Sequence, residues 1–202
     1  MNNKNLLPQF RHFPSMFRWI VVIAILFFLA ACSGTPDRRD TKTYLKDKNI
    51  ESKATNDLYG DTHINKKIHV NVTSFNGVTL VSGEVLSEAL RQQVIEIVRN
   101  IPDVRRVHNE LVVADLTNFE SRSRDSWLTS KVKSQLANNK QLAAKHVKVV
   151  TENETVYLLG LVTENEGQIA ADVARNVTGV KSVITLFEYI PEPPATPAPA
   201  KS

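Results

Sequence analysis

The chain has 202 residues, a formal net charge of +4 and a single cysteine. Three basic and no acidic residues fall in the first 31 positions, so the remainder carries 22 basic against 21 acidic residues. This near-neutral balance excludes nucleic-acid binding driven by overall charge, and a lone cysteine has no disulfide partner within the chain.

The N-terminal segment is typical of an export signal. Lys4, Arg11 and Arg18 precede an apolar run over 19–30 that ends in small residues. This run of about a dozen residues is shorter than the ~20 that a transmembrane helix needs. We therefore predict a cleaved signal peptide over 1–31.

Residues 29–32, Leu-Ala-Ala-Cys, resemble the bacterial lipobox. The resemblance implies diacylglycerol on the Cys32 sulfur, cleavage before Cys32, and a fatty acid such as palmitate on the new amino group. Three acyl chains would hold the protein firmly, whereas one chain holds a protein only marginally. Ser33 stands where an Asp would retain the protein in the inner membrane, so the resemblance favours the periplasmic face of the outer membrane. The alternative is an ordinary signal peptide with a chance cysteine.

The rest of the chain contains one unit twice. Residues 78–85 are echoed by 155–162 at an offset of 77. In each copy, apolar positions first recur at helical spacing, then alternate over two strands, then return to helical spacing before a last strand. This succession of periods predicts the order α-β-β-α-β in each copy.

We predict an α+β fold of two tandem units, each a small three-stranded sheet with two helices on one face. A unit of about 65 residues is marginally stable alone, so the copies are expected to pack on each other or to gain stability from the anchor. The predicted segments are a flexible acylated tether over 32–45, a first unit over 46–114, a linker over 115–123, a second unit over 124–190, and a Pro-rich disordered tail over 191–202.

Three glycines are predicted to have structural roles. Gly83 and Gly160 stand at equivalent strand positions, where we expect a bulge or the close approach of a helix. Gly179 stands in the turn before the last strand. The first copy has Asp103, after Pro102, at the position of Gly179, and this leaves the geometry of that turn open.

Each unit has an apolar strand that contains a glycine, and a turn of the form Asp/Gly-Val-x-x-Val leads into its last strand. Paired units with these two features resemble BON domains. The tandem pair behind a lipobox is similar to dual BON-domain outer-membrane lipoproteins. Residues 125–136, 151–153 and 160–164 resemble the second domain of the division-site-localised members. The resemblance implies binding of anionic phospholipid by the first helix of the second unit. It also implies support of envelope integrity, with the division site as a candidate location.

The predicted lipid-binding site is centred on Trp127. Leu128, Val132 and Leu136 define the buried stripe of a helix, and Trp127 lies about 140° from its centre, in line with Arg124, Lys131 and Ser134. An outward indole beside cations is typical of a bilayer interface. Seven basic residues between positions 121 and 151 oppose Asp125 alone: Arg122, Arg124, Lys131, Lys133, Lys140, Lys145 and Lys148.

Two alternatives remain open for this surface. Trp127 could fill the interface between the two units, and the basic run could be an ordinary solvated face. The first unit has Asn49 and Lys53 where the second has Trp127 and Lys131, so we assign lipid contact to the second unit and a docking role to the first.

The predicted partners are anionic phospholipids such as phosphatidylglycerol and cardiolipin, the membrane through the N-terminal anchor, and envelope proteins. The rival hypothesis is a protein-docking scaffold for an envelope assembly factor, with incidental lipid contact.

The sequence offers no pattern for catalysis. The histidines after the signal segment are scattered without metal-ligand spacing, and the chain lacks a Gly-x-Ser-x-Gly elbow and a P-loop. We therefore expect no metal, no cofactor and no enzymatic activity.

Overall fold

The computed structural model describes residues 38–116 and 119–192, with only the backbone at Phe119. The predicted signal peptide, Cys32 and the tail after Glu192 lie outside the described residues. Within 38–116 and 119–192, every helix is too short or too polar to span a membrane.

Both units have the predicted order α-β-β-α-β, which confirms the α+β assignment. The first unit comprises α1 (Thr41–Gly60), β1 (Ile68–Phe75), β2 (Val78–Val85), α2 (Glu88–Arg99) and β3 (Arg106–Val113). The second comprises α3 (Phe119–Asn138), a 3₁₀ turn (Ala144–His146), β4 (Val147–Glu152), β5 (Thr155–Val162), α4 (Glu164–Arg175) and β6 (Ser182–Tyr189).

The two sheets have the same topology. The second strand of each unit lies at the centre, antiparallel to the first strand and parallel to the third. The antiparallel pair is closed by a two-residue turn at positive φ, at Asn76 and Gly77 in the first unit and at Asn153 and Glu154 in the second. Positive φ at both central residues gives the type I′ twist that matches the flanking strands.

The first helix of each unit begins earlier in the chain than its buried stripe predicted, within a segment predicted to be irregular. α1 begins at Thr41, inside the predicted tether 32–45, and α3 begins at Phe119, inside the predicted linker 115–123. Both extensions precede the buried stripe of their helix, and the apolar residues Tyr44 and Leu45 in the extension of α1 are exposed. The extensions carry no apolar periodicity, which is the signal from which the helices were predicted.

Residues just before α1 are also bound to the folded body. The Arg38 guanidinium donates to both carboxylate oxygens of Glu166, at 2.6 and 3.0 Å, and to the Leu161 carbonyl oxygen at 2.9 Å. Arg39 Nη1 donates to Asp47 Oδ2 at 2.9 Å. Residues 38–45 therefore belong to the folded body and not to a flexible tether.

Each unit has its own core on one face of its sheet, and a third core joins the two units. In the first two cores both helices cover the sheet, through residues such as Ile50 and Val98 in one unit and Val132 and Ala174 in the other. The third consists of Phe75, Leu80, Tyr157 and Leu159, which belong to the opposite faces of the two sheets. The central strands β2 and β5 are therefore covered on both faces, and the layer order is α, β, β, α.

At Gly83 and Gly160 the close approach comes from backbone carbonyl groups, and the one at Gly160 belongs to the 3₁₀ turn. A Cβ at Gly83 would lie 2.0 Å from the His69 carbonyl oxygen, and a Cβ at Gly160 would lie 2.3 Å from that of His146. The close neighbour is thus backbone at or next to the paired strand, and the β1–β2 register runs through Gly83 without a bulge. Gly179 has φ +101°, and Asp103 holds the equivalent turn position at φ +69°.

Candidate functional site

Trp127 lies on the outer side of α3. Leu128, Val132 and Leu136 are at most 1% exposed and hold the opposite side of this helix in the core, whereas Trp127 is 56% exposed. This exposure does not agree with the alternative in which Trp127 fills the interface between the units. A large indole is therefore presented to solvent on a helix whose position is fixed by its buried stripe.

Lys131 packs on the Trp127 ring. Its Nζ lies 4.6 Å from the ring centroid, which is a cation–π contact between residues four apart on one helix face. The same Nζ donates to the Thr178 carbonyl oxygen at 3.4 Å, in the turn after α4. The indole and the ammonium group thus form one continuous surface, and Lys131 also contacts the neighbouring turn.

The other predicted residues of this face have different surroundings. Arg124 and Ser134 lie about 60° and 20° from Trp127 around α3, and Lys133 lies about 120° away. Arg124 is paired with Glu120 at 3.3 Å and with Glu154 at 3.4 Å. Lys133 and Ser134 are exposed. The structure therefore brings Trp127, Lys131 and Ser134 together, with Arg124 beside them in ion pairs and Lys133 on the flank.

A groove of about 640 Å³ borders Lys131. Its walls come from α3 and α4, and they combine side-chain amides with two partly buried aliphatic residues, Ile169 and Val173. The amide-bearing residues are Gln135, Asn138, Asn139, Gln141 and Asn176. Amide groups can donate and accept hydrogen bonds, so this groove can receive a polar group that carries hydroxyls or phosphate oxygens.

Fewer basic side chains are available around α3 than the seven counted in the sequence. Lys148 donates to a carboxylate oxygen of Glu51 in the other unit and to the Ser74 carbonyl oxygen at 3.4 Å. Burial alone would raise the pKa of Glu51, but hydrogen bonds from Lys148 and Lys48 outweigh it and lower that pKa. Lys148 thus belongs to the contact between the units and must be removed from the predicted membrane-facing charges.

A second cluster contains residues that could hold a metal ion. His69 on β1, Glu84 on β2 and Glu152 at the end of β4 each bring one ligand atom within 4.8 Å of the others. Sequence spacing could not find this set, because its members come from three strands and both units. One feature of the sequence could have indicated this set. Glu84 in the first copy is charged, whereas the equivalent residue of the second copy is the apolar Leu161.

The BON domain family matches residues 46–115 and 124–191. Over 160 residues the chain is 37% identical to the outer membrane lipoprotein DolP of Haemophilus influenzae, covering 79% of this chain and 83% of that protein. It is 30% identical over 154 residues to a 21 kDa hemolysin of Actinobacillus pleuropneumoniae, covering 76% and 79%. It is 28% identical over 143 residues to the osmotically-inducible protein Y of Escherichia coli, covering 69% and 71%.

Proposed function

The chain belongs to the BON-domain family, as a dual-domain outer-membrane lipoprotein, and from this premise we propose that it binds anionic phospholipid through α3. In this proposal Cys32 carries the acyl anchor, the two units face the periplasm, and no reaction is catalysed. The lipid contact supports envelope integrity, with the division site as the candidate location.

The exposure of Trp127 beside Lys131 is the observation that carries this proposal. At a bilayer interface an indole buries its apolar body among the acyl chains while its N–H stays hydrated. Burial of about 100 Å² of the ring contributes about 2.5 kcal/mol, and each cation close to an anionic surface contributes about 1 kcal/mol. With Lys131 as that cation, the sum is about 3.5 kcal/mol, which corresponds to a Kd of about 3 mM.

Such a weak contact is sufficient for an anchored protein. The acyl chains keep the folded body near the bilayer, where an effective concentration in the millimolar range matches that Kd. The anchor thus supplies the attachment, and the α3 surface supplies the preference for anionic lipid and the orientation of the body. The groove beside Lys131 adds amide hydrogen bonds for a headgroup such as the glycerol of phosphatidylglycerol.

The first unit lacks the corresponding surface. Asn49 replaces the indole, and Lys53 pairs with Asp57 on the same helix at 3.1 Å, which neutralises its charge locally. An apolar side chain is nevertheless exposed nearby, since Leu45 is 60% exposed at the start of α1. This favours, as a second candidate function, the docking of an envelope protein on the first unit.

Vesicle flotation of residues 36–202, which lack the acyl anchor, tests the lipid contact. We expect flotation with vesicles that contain phosphatidylglycerol or cardiolipin, and weaker flotation with neutral vesicles or at high salt. The change Trp127→Glu should weaken binding at least about 10-fold, because it removes more than 1.4 kcal/mol of contact. Lys131→Arg should retain binding.

Leu45→Glu is the matched control, because it places the same charge at an equally exposed apolar position on the other unit. Equal losses for Leu45→Glu and Trp127→Glu would contradict a site on α3. If the unsubstituted protein fails to float at low salt, the lipid proposal is wrong and the Trp127 surface becomes a candidate for protein docking.

A further inference from the structure

Three side chains that can bind a metal ion meet where the two units are in contact. His69 and Glu84 face each other in the β1–β2 register, with Nδ1 of His69 at 2.9 Å from Oε2 of Glu84. Glu152, from the second unit, completes a set of ligand atoms that lie within 4.8 Å of one another. Glu84 is 1% exposed and Glu152 is 6% exposed. Two carboxylates and one imidazole are therefore held together in a mostly buried position.

Each carboxylate is oriented by an amide from the opposite unit. Asn71 Nδ2 of the first unit donates to Glu152 Oε2 at 3.4 Å, and Asn153 Nδ2 of the second unit donates to Glu84 Oε1 at 2.7 Å. Hydrogen bonds to ligating carboxylates fix their rotation and are a regular part of metal sites in proteins. The cluster thus has both the donor atoms of a metal site and the outer hydrogen bonds that orient them.

The electrostatic environment of the cluster favours a bound cation. Glu84 and Glu152 are both buried, and their ligand oxygens lie within 4.8 Å of each other, so two carboxylates are concentrated in one place. A divalent cation close to Glu84 and Glu152 would stabilise both as carboxylates. Such an ion would convert an unfavourable concentration of negative charge into a bridge between the units.

Solvent reaches the cluster through a cavity of about 420 Å³. Its wall includes His69, Asn71 and Glu152, and α3 contributes Arg122 and Asp125, one charge of each sign. A cavity of this size admits a hydrated ion and leaves room for water as a further ligand.

We propose that His69, Glu84 and Glu152 bind one Zn²⁺ ion, which joins the two units. Zinc accepts imidazole nitrogen at 2.0–2.1 Å and carboxylate oxygen at 2.0–2.2 Å, commonly in fourfold coordination. Three protein ligands, whose ligand atoms lie within 4.8 Å of one another, and a water from the cavity provide four donors. Calcium requires six to eight oxygen ligands, which this mixed set does not supply.

Bound zinc would stabilise the folded chain, since the set is assembled only when β1, β2 and β4 are in place. This role is independent of the α3 surface. If zinc binding is not found, the lipid proposal is unaffected. If lipid binding is not found, the zinc proposal is unaffected.

The test is calorimetric titration of the full-length lipoprotein, purified in detergent and stripped with a chelator, with Zn²⁺. We expect one equivalent to bind and to raise Tm. Glu152→Gln and His69→Gln should each lower the affinity at least about 10-fold, since loss of even an outer-shell partner costs 10–100-fold. The controls Glu96→Gln and His63→Gln replace exposed residues outside the cluster and should bind zinc as the unsubstituted protein does.

Far-UV circular dichroism and the metal-free Tm of each variant establish that it is folded, and Glu152→Gln retains the shape needed for the Asn71 contact. Absence of saturable zinc binding would overturn the proposal, as would equal binding by the cluster variants and their controls. A Tm increase of the same size with Ca²⁺ would overturn the assignment to zinc.

Discussion

Two buried aspartates at equivalent positions join the first helix of each unit to its hairpin turn. Asp47 accepts hydrogen bonds from the backbone N–H groups of Asn76 and Gly77, both at 2.8 Å. Asp125 accepts from the corresponding groups of Asn153 and Glu154, both at 2.9 Å. Alignment of the two copies places the two aspartates at equivalent positions. It does not predict their role as hydrogen-bond acceptors, because that role depends on a turn about 30 residues away in the chain.

We predict that Asp47→Asn destabilises the protein by about 3 kcal/mol. Asp47 is 1% exposed, and its carboxylate also accepts from Ser74 Oγ at 2.7 Å and pairs with Arg39. An amide removes the charge and directs N–H groups at donors, leaving buried groups unsatisfied. Urea unfolding provides the measurement. Asp57→Asn, a partly exposed position on the same helix, should change stability by no more than about 0.5 kcal/mol.

Apolar periodicity predicted the order of the helices and strands but not the starts of two helices. The buried stripes of α1 and α3 and the alternation in the strands predicted the correct order of elements, because burial imposes those periods. The first turns of α1 and α3 carry no such period, so both starts were predicted too late. For α1 a local signal existed in Asp40, whose side chain accepts from the Thr43 backbone N–H at 2.7 Å as an N-cap.

The start of α4 combines a cap with a long-range ion pair. Thr163 and Glu166 form a capping box, and Glu166 also binds Arg38 from the chain segment before α1. Burial alone would raise the pKa of Glu166, but hydrogen bonds from Arg38 and from the Thr163 backbone N–H lower it below its ordinary value of 4.5. The charged form of Glu166 therefore stabilises the folded state.

We predict that Glu166→Gln lowers stability at neutral pH and that its effect decreases in acid. A lowered carboxyl pKa contributes stability that is complete above 4.5 and is lost as pH falls through the folded-state value. Unfolding free energies of the two proteins should converge below pH 4.5. Glu164→Gln, at an exposed position of the same helix turn, is the control. A difference that stays constant down to low pH would show that the Glu166 charge is not responsible.

At the scale of the whole molecule, the two units share a core and several polar contacts. The small size of each unit predicted that the copies pack on each other or gain stability from the anchor, but it could not say through which face they would pack. The strands β2 and β5 are apolar on both sides, and this pattern is typical of a strand covered twice. The exposed position of Trp127 beside Lys131 was predictable because both residues lie on one helix, whereas the His69 cluster needed the fold of both units to bring its members together.

We predict that Leu80→Ala reduces the stability of both units at once. Leu80 is fully buried in the third core, and truncation of a buried leucine costs about 2–5 kcal/mol. Native-state hydrogen exchange should show faster exchange from the most protected amides of β5 as well as β2. Val94→Ala, in the first unit's own core, is the comparison. Faster exchange confined to the first unit in Leu80→Ala would mean that the units unfold independently.

The layer order α, β, β, α gives the molecule two opposite sides. Trp127 stands on α3 and Leu45 on α1, and these helices belong to the two different outer layers. A bilayer that receives Trp127 therefore contacts a different layer from the one that presents Leu45. Lipid and a second partner would not compete for space, and the lipoprotein could act as a spacer that holds that partner at a fixed height above the membrane surface.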